Sequence, residues 1–315
     1  MKIRVFLFLC ISSFSQVVSA IPDTVQVGAY VMSIHDINFR DKEYTMRYWL
    51  WMLHNMEGLD VVRQTEIPNA KSVERSEVFE DSLENKAWVI MKMKSVMKQS
   101  WKVNDYPFDK QFLSVHFENT EYDINDLVFK ADVKGSTYDK ELTVDGWTVT
   151  DFEVRTGVNN YETTFGDYTN TDESCYYSTF NINMKLERNA LGLFLKLFVG
   201  MYISFLIAMV SFLIHPKDVE PRFGLPVGAL FAAVGNKYII DSLLPETASF
   251  TLVDSLHTFT FASIFLTIFV SAFALSAFRK KEVKKYRRIN KIGGLIVLIS
   301  FITLNLLIIG LAIFE

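Results

Sequence analysis

The sequence predicts an all-β sandwich followed by a four-helix transmembrane bundle, and three observations carry that prediction. Residues 21–190 alternate apolar and polar side chains in short runs bounded by turn residues, the period of half-buried strands. Residues 191–315 hold four long apolar runs joined by short polar segments. Residues 1–20 have the pattern of an export signal, with Lys2 and Arg4, the apolar run Val5 to Ile11, and small residues at Val18, Ser19 and Ala20. The 315-residue chain is half hydrophobic, includes 27 Phe and has a formal net charge of -4. Its main basic footprint is a short link between two apolar runs, which argues against a nucleic-acid partner.

Removal of residues 1–20 takes Cys10 with it and leaves Cys175 as the single cysteine, so no internal disulfide is expected in the exported domain. Strands are expected at Val25 to Val31, Tyr44 to Leu53, Ala87 to Met97, Gln111 to Phe117, Trp147 to Arg155 and Ser178 to Leu186. In the last of these, Phe180, Ile182, Met184 and Leu186 share one face and should point inward. Asn69 to Glu84 is ambiguous, because its charges also fit a helical surface. The final strand runs through Glu187, Arg188 and Asn189 straight into the first apolar run, so motion of the strand would pull on the membrane helix.

The spans are expected at residues 191–214, 223–243, 252–278 and 292–314. Lys196 sits in the first turns of the first span, where it can snorkel towards headgroups. Arg279 to Lys291 reads RKKEVKKYRRINK, with eight Lys or Arg residues, and a cytoplasmic position for it places the β domain and the carboxyl terminus outside. The export signal implies the same orientation.

The second span is the organising stretch, because it is too polar for lipid. Gly224, Gly228, Phe231, Gly235, Tyr238 and Ser242 fall on one stripe, with Glu220 just before the helix and Asp241 near its far end. Such a stripe suits close helix packing or the lining of an axial pore. Three other spans hardly surround a polar helix, whereas several copies around an axis do. Under rotational symmetry Glu220 and Asp241 each become a ring of carboxylates that concentrates cations. The plain alternative is that Glu220 pairs with Arg222 or Lys217, and that Phe231 and Tyr238 only pack between helices. Lys237 and Asp241, four apart, can pair along one helix edge.

Residues 101–111 read WKVNDYPFDKQ, and this stretch resembles the aromatic-Pro-Phe-Asp-x-Gln core of the pentameric ligand-gated ion channels, the family of the neurotransmitter-gated receptors with bacterial members. Arg188 resembles the family's basic residue before the first span, and Leu244-Pro245 resembles the turn that ends its pore helix. The resemblance covers nearly all of the chain after residue 20. It implies a homopentamer, with four further copies as partners, in the bacterial inner membrane among lipid. It also implies a periplasmic β domain, permeating monovalent cations and no cofactor or covalent chemistry. Three departures stand out: Phe112 occupies a cysteine's place, the large insertion between the third and fourth spans is absent, and Tyr202-Ile203-Ser204 lacks the usual proline. Phe231 stands where the family usually has an aliphatic mid-pore residue.

By the same resemblance Glu220 is the inner filter carboxylate and Asp241 the outer one. Phe231 and Tyr238 are candidates for a hydrophobic constriction. Coupling is assigned to Pro107, Phe108, Asp109, Arg188 and Pro245, with Asp109 offering its carboxylate to Arg188 while Pro107 and Phe108 press towards the loop from Pro245 to Thr251. A small agonist would lie between neighbouring β domains against Trp49, Tyr122, Phe165, Tyr168, Tyr176 and Tyr177, with Asp172 or Glu173 adding charge. Aromatics on such a surface also serve as interface filler. Glu121, Asp123, Asp126 and Asp132 are candidates for calcium modulation without EF-hand spacing, and His257 with Asp254 is a candidate proton sensor. His35, His54, His116, His215 and His257 show no zinc spacing, and no phosphate loop or nucleophile elbow is present, so no enzymatic reading arises. The rival to a channel is a non-conducting membrane sensor or binding protein built on the same two parts.

Overall fold

The computed structural model describes residues 21–166, 168 and 174–314. The expected export signal at 1–20, and the acidic candidates Asp172 and Glu173, lie outside the described residues. The chain forms a mixed β-sandwich followed by a bundle of long helices.

The strands are β1 (Asp23–Asn38), β2 (Glu43–His54), β3 (Thr65–Glu66), β4 (Ala70–Leu83), β5 (Lys86–Lys98), β6 (Lys110–Asn119), β7 (Leu127–Ala131), β8 (Thr137–Tyr138), β9 (Trp147–Tyr161) and β10 (Cys175–Arg188). A single turn, α1 (Val61–Gln64), precedes β3. One sheet has the order β4-β5-β2-β1-β7, with β8 also on β1, and the other has the order β3-β6-β10-β9. β7 and β8 run parallel to β1, which makes the first sheet mixed.

Period-2 alternation explains where the core sits. Met46, Tyr48, Leu50 and Met52 of β2 and Phe180, Ile182, Met184 and Leu186 of β10 are all buried between the sheets. The two core phenols are satisfied: Tyr44 donates to the Ser114 carbonyl at 3.1 Å and Tyr48 lies 2.8 Å from Ser95 Oγ.

The ambiguous segment at 69–84 is the edge strand β4, not a helix. It carries no apolar alternation because almost all of it is exposed. Its charges serve as cross-strand partners, Glu74 with Lys94 and Glu77 with Lys92, and they guard the open edge.

Gly28 faces Trp51 across the β1-β2 ladder, and a Cβ there would run into the indole. Gly28→Ala should displace that ring and break its Nε1 bond to Asp132, at a cost of roughly 1–3 kcal/mol. Thermal unfolding followed by tryptophan fluorescence checks this, and an unchanged midpoint would contradict it.

Four helices follow: α2 (Ala190–Val210), α3 (Val219–Asp241), α4 (Leu252–Arg279) and α5 (Val283–Phe314). All four are long and apolar enough to cross a membrane. Three boundaries differ by four residues or more from those expected. α2 ends at Val210, not at 214. α3 begins four residues earlier, so Glu220 lies in its first turn instead of before it. α5 takes up most of the basic link, leaving only 280–282 between α4 and α5, because lysine and arginine are good helix formers whatever their solvation. Thr260, Ser263 and Thr267 of α4 each donate to a carbonyl four residues back, which satisfies their hydroxyls without water. Phe205 of α2 stacks on Phe301 of α5 with ring centroids 3.7 Å apart.

Candidate functional site

α3 has two opposite faces. Arg222, Pro226, Ala229, Ala233 and Ile240 recur every three or four residues and are buried. The small side chains of Ala229 and Ala233 let α3 lie against α2 and α4. Two residues on, the stripe of Gly224, Gly228, Phe231, Gly235, Tyr238 and Ser242 is exposed throughout, with Phe231 at 72% and Tyr238 at 77%. Glu220 and Asp241 are exposed at the two ends. Pro226 has no N–H for the carbonyl of Arg222, which loosens the helix one turn inside its start.

Glu220 forms no ion pair among the described residues, neither with Arg222 nor with Lys217. Arg222 turns the other way and is fully buried, donating to the Ile214 carbonyl at 3.0 Å, to the Tyr286 hydroxyl at 3.4 Å and to Asn290 Oδ1. At the far end Lys237 holds Asp241 at 2.7 Å and also Asp254 of α4 at 2.8 Å. The first of these contacts follows from the spacing of four. The second had no sequence signal, because it joins two helices across a loop.

Asn236 bridges three helices. It donates Nδ2 to the Leu197 carbonyl of α2 at 3.0 Å, and its Oδ1 lies 3.1 Å from His257 Nε2. His257 Nδ1 donates to the Val253 carbonyl at 2.8 Å. Gly200 leaves the space that the Asn236 amide fills. Of the two candidate proton-sensing residues, His257 meets Asn236, while Asp254 caps α4 through Thr251 and holds Lys237.

The junction between the β domain and the helices centres on Arg188. Its Nε lies 2.7 Å from Asp109 Oδ1 and its Nη2 lies 3.2 Å from Oδ2. Gln111 adds a 2.6 Å bond to the same carboxylate, and the rings of Phe39, Tyr106 and Trp147 stand 4.8, 4.9 and 3.9 Å from the guanidinium carbon. Burial raises the Tyr106 phenol, against the neighbouring Arg188 cation, so the ring stays neutral beside the pair. Only Asn189 separates Arg188 from α2.

The Trp101 to Gln111 segment reaches the helices at two points. Phe108, one of the expected residues, packs its ring on Phe194 of α2, 5.5 Å between centroids, and the backbone N–H of Leu252, the first residue of α4, donates to the Asn104 carbonyl at 2.7 Å. Pro107 and Pro245 are both buried. Sequence reasoning missed Asn104 because a backbone carbonyl leaves no mark on residue type.

The six aromatic ligand candidates divide into two groups on different sheets. At the β9-β10 end, Tyr161 meets Phe165 at 5.4 Å and Tyr177 at 5.7 Å, while Tyr168 and Tyr176 are exposed and Tyr122 packs against the core. Tyr161 donates to buried Glu118 at 2.8 Å, and burial together with that carboxylate pushes its phenol up to about 12. On the outer face of the first sheet Trp49 lies 6.3 Å from Phe79, and with Tyr30, Trp51, Trp88, Glu80 and Asp81 it lines a cavity of about 600 Å³. Trp51 was legible as a second ring two residues from Trp49 on one face of a strand. Trp88 needed the register with β5.

No family model and no curated protein matches this chain. Among the described residues no group of three or more His, Cys, Asp or Glu side chains is placed to hold a metal. Of the acidic calcium candidates, Asp132 accepts from Trp51 Nε1 and from the Gly135 amide, Asp123 bonds Asn125 within its own turn, and Glu121 accepts from Gln64.

Proposed function

We propose that the protein is a subunit of a ligand-gated, cation-selective ion channel in the bacterial inner membrane, with its β domain and carboxyl terminus on the periplasmic side. Several copies surround an axis lined by α3, and the count of five follows from the resemblance to the pentameric family. One observation carries the proposal: the glycine and aromatic stripe of α3 is exposed along its whole length, and it runs from Glu220, which has no ion pair among the described residues, to Asp241, which Lys237 holds. A stripe of that polarity is costly against lipid, and other copies of itself around water are its natural cover.

The two aromatic groups support a ligand at the contact between copies. Trp49, Trp51, Trp88 and Phe79 on one β domain and Tyr161, Tyr177 and Phe165 on the next would enclose a small cation between π faces, with Glu80 and Asp81 adding charge. Closure of that contact would move β10, and through Arg188 and Asn104 would tilt α2 and the start of α4.

The test is aqueous accessibility along α3. In a Cys175→Ser background, cysteines at Gly228, Phe231 and Gly235 should react with a charged thiol reagent while those at Ala229 and Ala233 stay protected. Uniform protection at all five positions would replace the channel with the non-conducting sensor.

A further inference from the structure

We infer that the end of the helix bundle where the basic link lies holds one small monovalent anion, of halide size, enclosed between α2, α3 and α4. The site is on the buried side of α3, away from the exposed stripe, and is independent of conduction. Three fully buried side chains frame it, Ser211, Arg222 and Ser271. Ser211 Oγ, Arg222 Nε and Ser271 Oγ each lack a hydrogen-bond partner among the described residues.

Packing brings the three to one level. α2 and α4 both start at the β domain and run the same way, with Thr267 Oγ1 4.0 Å from Met209 Sδ and the Phe278 ring 6.2 Å from that of His215. Ser271 is one turn beyond Thr267 on the same face of α4, so it stands level with the turn at 211–214 that follows α2. Arg222 reaches that turn from α3, its Nη1 donating to the Ile214 carbonyl at 3.0 Å. Ser271 also departs from the habit of its helix. Thr260, Ser263 and Thr267 turn their hydroxyls back to carbonyls of α4, whereas the Ser271 hydroxyl is left for something between the helices.

Charge decides what that is. Arg222 donates to neutral acceptors, the Ile214 carbonyl, the Tyr286 hydroxyl and Asn290 Oδ1, and Asn290 spends its nitrogen on the Phe212 carbonyl at 2.8 Å. Carboxylates at this end point elsewhere: Asp218 and Glu220 are exposed, and Glu282 holds Lys285 at 2.9 Å. A buried cation without a counter-charge is costly. One monovalent anion cancels it and accepts from a guanidinium N–H and two hydroxyls at once. Water would satisfy the donors but leave the charge, and a doubly charged oxyanion would overcompensate a single guanidinium. Exposed Lys280, Lys281, Lys284, Arg287 and Arg288 draw anions to this end of the bundle.

The test uses the full-length protein in detergent, with chloride exchanged for gluconate at constant ionic strength. Chloride, or bromide in its place, should raise the thermal unfolding midpoint in a saturable manner. Ser211→Ala with Ser271→Ala removes only two hydroxyls and should raise the half-saturating chloride concentration about tenfold or more. Arg222→Gln takes away the charge and should leave the midpoint the same in chloride and gluconate; where that variant does not fold, the serine pair decides. Crystals grown in bromide should give an anomalous peak within hydrogen-bond reach of Arg222 Nε and both serine hydroxyls. A midpoint indifferent to chloride would overturn the site, as would a chloride dependence unchanged in the serine double variant. A bromide peak without any chloride dependence would be binding at crystal concentration only and would reject it equally, as would water at the three donors. None of these readouts depends on current or on the accessibility pattern along α3.

Discussion

Arg188→Gln should destabilise the β domain by roughly 3–5 kcal/mol, the cost of removing one partner of a buried ion pair. Asp109 is buried, and without the guanidinium it keeps only the single Gln111 bond among its side-chain donors. Phe39, Tyr106 and Trp147 lose the cation they enclose. Against a total stability of about 5–15 kcal/mol this is a large fraction, and the unfolding midpoint should fall by roughly 6–20 °C. The double variant Asp109→Asn, Arg188→Gln should recover part of the loss, because no charge is left stranded. Near-ultraviolet circular dichroism during heating reports on the three rings directly. A cost below about 1 kcal/mol would mean that water reaches the pair and screens it like a surface contact. Since Arg188 is one residue from α2, the same variant should also weaken the response to agonist wherever the β domain still folds.

Glu220→Lys should invert the ion selectivity of the reconstituted protein. Glu220 lies in the first turn of α3, where the helix dipole already favours a carboxylate, and no cation pairs with it among the described residues. In the proposed channel its charge is therefore fully available to ions, and reversing it would exchange a ring of negative charge for a positive one. In a tenfold KCl gradient the reversal potential should move from the potassium side towards the chloride side, the two limits lying ~59 mV either side of zero. Glu220→Gln should lie between the two. Asp241→Asn should have a much smaller effect, because Lys237 already holds that carboxylate together with Asp254. An unshifted reversal potential in Glu220→Lys, with current still present, would remove Glu220 from the selectivity role.

Legibility followed the kind of interaction. The core strands could be read because burial on one face imposes a period of two, as in Phe180, Ile182, Met184 and Leu186. β4 could not, since an exposed edge imposes no such period and charged residues suit a helix surface equally well. The Asp109 to Arg188 contact was expected from a family resemblance, not from spacing, as 79 positions separate the two residues. Of the aromatic candidates, Phe165, Tyr168 and Tyr176 are exposed while Tyr122 packs against the core, and the division of the set between two sheets depends on strand order.

By itself the sequence determined the β-then-helix order, the four apolar spans and the stripe along the second, because each is written in local periodicity and composition. Tertiary structure decided the rest. It turned Arg222 away from Glu220, brought Lys237 to Asp254, set Asn236 between Leu197 and His257, and joined Asn104 to Leu252. The last three are contacts between separate elements, the first follows from the contacts of Arg222 with Ile214, Tyr286 and Asn290, and the energy of all of these depends on atoms meeting in space after the helices have packed. No periodic pattern along one element encodes them.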